Sequence, residues 1–325
     1  MFKYKKNNLL KILRSSPIDY LLVPLVFFAA IILYIVRRVG LRSLVKCKDT
    51  LLFVGVLPVR NHYYEPLFDR RNLSNKLSDN RRLPGIDWNI HEQLAILERF
   101  QYNEELVLIP DTYVDDMTFH YENGSFEPGD AEYWYNIIRY KKPSKIIEIG
   151  SGNSTKIARL AIEKNKSDNP VYSCEHICIE PFEKPWLEQM DITLMRQKVE
   201  NTDIELFKRL KENDVLFIDS SHVIRPQGDV VYEYLEILPQ LNKGVVVHIH
   251  DIFTPRDYPE EWIFGDIRLW NEQYMLEAFL TSNQSWKVIA ALNLLHHDYY
   301  DMLKRKCPKL TPKREPGSFY LIKTV

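Results

Sequence analysis

The sequence predicts an α/β protein built on a doubly wound, mostly parallel sheet and preceded by a membrane-spanning helix. Three observations carry that expectation. From Pro143 onward, short apolar runs alternate with amphipathic stretches, the pattern of parallel strands covered by helices on both faces. From Tyr20 to Val36 the chain reads YLLVPLVFFAAIILYIV, without a charge. Between the two lies an aromatic-rich stretch with no clean period. The expected organisation is an anchor over residues 1–48, with its helix at about 20–36, then a helical lid or connecting region over 49–141, and the main domain over 142–325.

Composition bounds the function. Hydrophobic residues make up 45% of the 325 and charged residues 27%, which excludes wholesale disorder. Forty-three basic and 44 acidic side chains leave a formal charge of −1, so a nucleic-acid-binding role has no global electrostatic support. Cysteines stand only at 47, 174, 178 and 307, too few and too scattered for a disulfide scaffold. A reducing compartment is expected.

The apolar run spans roughly 25 Å as a helix, slightly short of a bilayer core of about 30 Å, and snorkelling by Arg37 and Arg38 would cover the deficit. A cleaved signal peptide is the competing reading. The run is long for that, and the two arginines stand where a small-residue cleavage site belongs. A buried core helix is the other alternative. Lys3, Lys5, Lys6, Lys11 and Arg14 precede the run, while Arg37, Arg38, Arg42, Lys46 and Lys48 follow it, so the positive-inside rule is tied.

Each element follows from its own pattern. LLFVGVLPVR (51–60) reads as a strand ending in a turn, and HEQLAILERF (91–100) as a helix, with Leu94, Ile96, Leu97 and Phe100 at helical spacing. DAEYWYNIIRY (130–140) reads as a helix with Asp130 as N-cap. Strands are expected at 145–150, 176–180, 192–195, 214–220, 244–251, 286–292 and 318–324. Helices are expected at 154–166, 204–210, 228–241 and about 269–280.

The first of those strands runs into Glu148, Gly150, Ser151 and Gly152 and then into a helix. Gly150 permits a tight turn, and Gly152 lets a ligand approach the backbone near the helix start. A dinucleotide site would want a small residue where Thr155 stands, and a ribose-binding acid nearer than Glu180. Glu148 suits a ligand carrying an ammonium group. Past the fourth strand stand Asp219, Ser220, Ser221 and His222; at the end of the fifth stand His248, His250 and Asp251. In a parallel sheet, ligands bind beyond the carboxyl ends of the strands. Neighbouring strands lie about 4.8 Å apart, which brings Asp219 and Asp251 within reach of one cation, with His222 close by.

On these residues the chain from about 143 to 325 resembles the class I S-adenosylmethionine-dependent methyltransferases. The resemblance implies a Rossmann-like, seven-stranded sheet and S-adenosylmethionine as cofactor. Its binding residues would be Glu148, Gly150, Ser151, Gly152, Glu180 and Asp219, with Glu180 on the ribose hydroxyls. The family's third loop glycine is replaced by Ser154, and an adenine contact is not assignable among Arg196 to Glu200. The strand-end cluster is similar to the metal-dependent macrolide-sugar O-methyltransferases and their cephalosporin-hydroxylase-like relatives. That likeness implies His222 as catalytic base beside a catalytic Asp219, and Asp219, His250 and Asp251 as metal ligands. His250 stands in the place of a carboxylate, which favours manganese or iron over magnesium.

The function expected is therefore O-methylation of a hydroxyl on a sugar, glycan or other small molecule, by a single-pass membrane protein with its catalytic domain in the cytosol. A hydroxylase-type relative and a non-catalytic membrane-tethered scaffold are the alternatives. Cys174 and Cys178 around His176 read as buried strand cysteines rather than a zinc site. His296-His297 reads as a solvated loop. RDYPEEW (256–262) reads equally as an acceptor-binding loop or a surface connection.

Overall fold

The computed structural model describes residues 16–325 except Glu183. The basic residues expected before the anchor, Lys3 to Arg14, lie outside the described residues. The chain divides into two compact units, one ending at Ser74 and the other covering Asn75–Val325.

In the first unit a helix runs over Ser16–Val39. Its segment Ile18–Val39, 22 residues with a mean hydropathy of 2.4, is long and apolar enough to cross a membrane, and its apolar window is unburied. The helix outruns the expected span at both ends, and the added turns carry Asp19, Arg37 and Arg38. Arg37 is not left to snorkel: it pairs with Glu65 at 2.7 Å. The strand expected over 51–60 is absent. Val45–Val54 is a helix, closed by Gly55 in the left-handed region (φ 81°). Its short apolar run fits either period, and no neighbouring strand competes for it.

The second unit is a seven-stranded sheet with helices packed against it. The strands are β1 (Lys145–Ile149), β2 (Glu175–Ile179), β3 (Thr193–Met195), β4 (Val215–Ile218), β5 (Val246–Ile249), β6 (Trp286–Ala291) and β7 (Phe319–Lys323). Their order is β3-β2-β1-β4-β5-β7-β6, with β7 antiparallel to β5 and β6. The order reverses between β1 and β4, and such a switch point opens a crevice at the carboxyl ends of the strands. All seven strands fall where the sequence places them. The central ones are mostly apolar because both faces are covered: Ile146, Ile147, Val215, Leu216, Phe217, Val246 and Val247 are fully buried.

The helix Asp130–Lys141 forms as expected, but its cap differs. Gly129 is the N-cap, and the Asp130 carboxylate accepts from the backbone N–H groups of Gly317 and Ser318 instead. The 228–241 helix is interrupted by a π-turn at Glu233–Ile237. His296 and His297 lie on a helix, Leu292–Asp298, with His296 buried. Residues 75–141 pack within the sheet unit: Leu97, Phe100, Tyr121 and Phe126 join its core.

Candidate active site

The site is assembled where β1, β4 and β5 end side by side. Gly150 follows β1 at φ 80°, and a Cβ there would stand 2.0 Å from the Asp219 carbonyl oxygen, so this turn admits only glycine. Its N–H bonds the Ile179 carbonyl, and the Asp219 N–H bonds that of Ile149 (2.8 Å). Gly152 differs: a Cβ would meet nothing nearer than the Lys184 Nζ at 3.5 Å. The space in front of this backbone is open.

Three cavities meet at Asp219. The first, about 400 Å³, is lined by Gly150, Glu180, Val199, Glu200, Ser221 and Asp229, among others. Of the stretch Arg196 to Glu200, in which the sequence leaves the adenine contact unassigned, Lys198, Val199 and Glu200 line this cavity. The short edge strand β3 gives too weak a pattern to single them out in advance. A smaller cavity, about 160 Å³, is lined by the loop Gly150–Ser154 with Glu180 and Lys184. Glu180 accepts from the backbone N–H groups of Ser151 (3.2 Å) and Phe182 (2.9 Å), and Lys184 reaches it at 3.2 Å.

The third cavity, about 410 Å³, lies on the other side of Asp219. Ser125, Asp130, His250, Asp251, Trp262, Arg268 and Arg314 are in its wall. RDYPEEW is thus part of a cavity wall through Trp262. The connecting region contributes too, through Gly124 to Asp130.

His222 is in the wall of none of the three, but it contacts Asp219 and Asp251, which are. Its Nε2 lies 3.3 Å from Asp219 Oδ1 and 3.6 Å from Asp251 Oδ2, and its ring packs on Trp270 with centroids 4.2 Å apart. Its Nδ1 lies 2.8 Å from Glu272 Oε2. Burial alone would lower its pKa, but the bonds to Asp219 and Glu272 outweigh it and hold the imidazole well above its ordinary 6.5. Asp219 shows the reverse balance: burial raises it, and the bond from His222 brings it below the usual carboxylate value. Asp251 is raised, mainly by burial. His222 (φ 59°) and Asp251 (φ 60°) both adopt the left-handed backbone, which costs an L-residue about 1 kcal/mol or more. The chain accepts that strain at the two strand ends, and it turns both side chains toward one point.

Two sequence expectations need correction. Glu148 faces none of the three cavities: it is fully buried and accepts from Thr155, with Cys178 and His176 beside it. It sits inside β1, where the pleat points it into the sheet–helix interface rather than the crevice. Thr155 in turn accepts from the Gly152 N–H, so Glu148 braces the loop. His250 does not join Asp219 and Asp251 around a common centre. The atoms that gather are those of Asp219, His222 and Asp251. His250 lies 3.4 Å from the far oxygen of Asp251 and packs on Phe126, because strand alternation keeps it on the face of His248, which bonds Ser318. Glu272 is the site residue the sequence did not reveal. It opens the helix Glu272–Leu280, far along the chain, and no local pattern marks it.

A family described as "Methyltransferase domain" matches residues 147–252, the segment from β1 to just past β5. An uncharacterized protein of Archaeoglobus fulgidus is 30% identical over 190 residues, covering 52% of this chain and 84% of the relative. Among solved structures, an O-methyltransferase from Bacillus cereus in complex with S-adenosylhomocysteine aligns at 11% identity, over 73% of this chain and 98% of that one, with a TM-score of 0.36. A plantazolicin methyltransferase, also bound to S-adenosylhomocysteine, aligns at 14% identity over 61% and 82%, with a TM-score of 0.32. Likeness at that level adds nothing to the geometry above. The family match and the strand order together place the sheet unit: the chain belongs to one family with the archaeal protein, and it is a methyltransferase of the class I, S-adenosylmethionine-dependent kind.

Proposed function

We propose that the chain transfers the methyl group of S-adenosylmethionine to a hydroxyl of a small-molecule or glycan acceptor, with His222 as base. The observation that carries this reading is the placement of His222 Nε2 3.3 Å from Asp219, the residue on which both cavities border. The cofactor supplies an electrophilic sulfonium methyl. Glu180 and the open backbone at Gly152 fit the ribose and amino-acid portions, and the 400 Å³ cavity fits the nucleoside. The acceptor lies in the cavity of Asp130, Asp251 and Trp262, with its hydroxyl toward His222.

There His222 takes the hydroxyl proton at Nε2 as the new C–O bond forms and the C–S bond breaks. The resting imidazole holds its proton strongly. A positive charge brought beside Asp219 opposes that proton and returns Nε2 to its basic form. Asp219 and Asp251 then stabilise the imidazolium that results.

Asp219, His222 and Asp251 each offer an atom within 4.8 Å of the others and would together hold a divalent ion. Such an ion would take Nε2 as a ligand and end its use as a base. We derive no step through a metal.

The helix Ser16–Val39 serves as a single-pass anchor, with the sheet unit in the cytosol. Asn165, in an N-x-S sequon, supports that side: it is buried and bonds Ile138 and Arg139, so a glycan there would prevent folding. Calorimetric titration with S-adenosylmethionine, followed by a labelled-methyl assay on a panel of sugars and glycans, tests the reading. No heat of binding would overturn it, as would transfer to nitrogen or carbon only.

A further inference from the structure

An imidazole has two nitrogens, and on His222 only one faces side chains that line the cavities. Nε2 faces Asp219 and Asp251 at 3.3 and 3.6 Å, and Nδ1 faces Glu272 Oε2 at 2.8 Å. Glu272 is fully buried and lines none of the three cavities. The Tyr234 hydroxyl, also fully buried, donates to its other oxygen at 3.1 Å. The same residue holds His222 by the backbone as well: the N–H groups of Asn271 and Glu272 both bond the His222 carbonyl.

A buried carboxylate is expensive, and an apolar side chain of that size would fill the space at lower cost. What an apolar side chain lacks is a fixed acceptor. Of the two sides of the ring, the 2.8 Å bond to Glu272 is the better hydrogen bond, so Nδ1 keeps its proton when the ring gives one up. We propose that Glu272, oriented by Tyr234, is a positioning residue that fixes the proton on Nδ1 and leaves Nε2 as the nitrogen that accepts from substrate. The proposal rests on the reading of His222 as base.

The test is Glu272→Gln, which keeps the shape. Tyr234 donates to Oε1, so it claims the amide oxygen and leaves the amide NH₂ facing Nδ1. The neutral ring must then carry its proton on Nε2. Turnover should fall by about 10²- to 10⁴-fold, with cofactor affinity and acceptor KM within about twofold of wild type. Adding Tyr234→Phe frees the amide to rotate, and kcat should recover by about tenfold. A residue that only filled space would give the opposite, two buried changes adding their losses. Nitrogen-15 shifts of the neutral His222 ring should report Nδ1–H in the wild type and Nε2–H in Glu272→Gln. Should Glu272→Gln fail to fold, the wild-type spectrum still decides, because Nε2–H there overturns the proposal. So does unchanged kcat in Glu272→Gln, or no recovery in the double variant. If His222→Ala itself turns over normally, the base assignment fails; if it is inactive while Glu272→Gln is not, only the role of Glu272 falls.

Discussion

Two clusters in this molecule set a histidine against acids on neighbouring parallel strands, and they differ in every respect that matters for chemistry. Glu148, His176 and Cys178 lie within β1 and β2, all buried and facing none of the three cavities. His176 Nε2 stands 3.4 Å from Glu148 Oε1, too far for a good hydrogen bond, and neither ring nitrogen has a protein partner. Asp219, His222 and Asp251 lie past the ends of β4 and β5. There the histidine is held at 2.8 Å from Glu272, on strained backbone, beside two acids that line the cavities. Each sets a histidine beside a carboxylate. What separates the clusters is where each stands relative to the end of its strand. Inside a strand, the pleat commits the side chain to the sheet–helix interface; past its end, the backbone can turn the side chain toward the crevice.

The sharpest way to break this comparison is to truncate both histidines. His222→Ala should lower turnover by about 10²- to 10⁴-fold while leaving cofactor affinity nearly unchanged. His176→Ala should leave turnover alone and show itself in unfolding, with a stability loss of about 2 kcal/mol from the void it leaves. Steady-state kinetics and thermal melts on both proteins check this. Equal turnover losses would mean that the inner cluster also acts in catalysis.

The acids give a second, smaller contrast. Glu180→Ala should weaken S-adenosylmethionine binding by about ten- to a hundredfold, since it removes charge-assisted bonds in the cavity. Glu148→Gln can still accept from Thr155, and its affinity should stay within about threefold of wild type. Calorimetry on the pair decides. A larger loss in Glu148→Gln would return that residue to the ligand's side of the loop.

The pH dependence sharpens the assignment further. A base must be deprotonated, and His222 is held above 6.5, so kcat/KM should rise about tenfold per pH unit and level only above that value. Stability should run the other way. The folded pKa exceeds the unfolded one, so the gain from His222 is fully present below about pH 6.5 and is lost as pH rises through the folded value. His222→Gln should flatten that part of the Tm profile. A Tm that climbs over the same window in the wild type would contradict the ion cluster.

Most of this architecture was legible in the sequence, and the reasons it stopped being legible are physical. The strands were readable because a sheet covered on both faces leaves continuous apolar runs, and Gly150 was readable because a strand running into glycine has few other meanings. The Val45–Val54 helix was not, since its apolar residues satisfy two periods at once. Asp219, His222 and Asp251 were readable as a group because strand ends converge in any parallel sheet. Which histidine pointed into the gap was not, because His250 sits on the far face by strand parity while His222 escapes parity through a left-handed turn. Glu272 was invisible for a different reason: fifty residues separate it from its partner, and only the folded chain brings them together.

The smallest effect expected is none at all, and it bears most directly on the histidines. Exhaustive chelation should leave turnover within about twofold, and added magnesium, manganese or iron(II) should not raise it. Asp219 and Asp251 are placed to share a cation, and the imidazole of His222, its pKa raised by its acidic partners, stands in that place, within 3.3 and 3.6 Å of the two. A divalent ion at the same point would need Nε2 as its third ligand, with Glu272 behind Nδ1 fixing the ring for coordination as readily as for proton transfer. The two uses of one nitrogen exclude each other. If chelation abolished turnover and manganese restored it, His222 would be a ligand, the base would have to be sought elsewhere in the acceptor cavity, and Asp130 would be the first residue to replace.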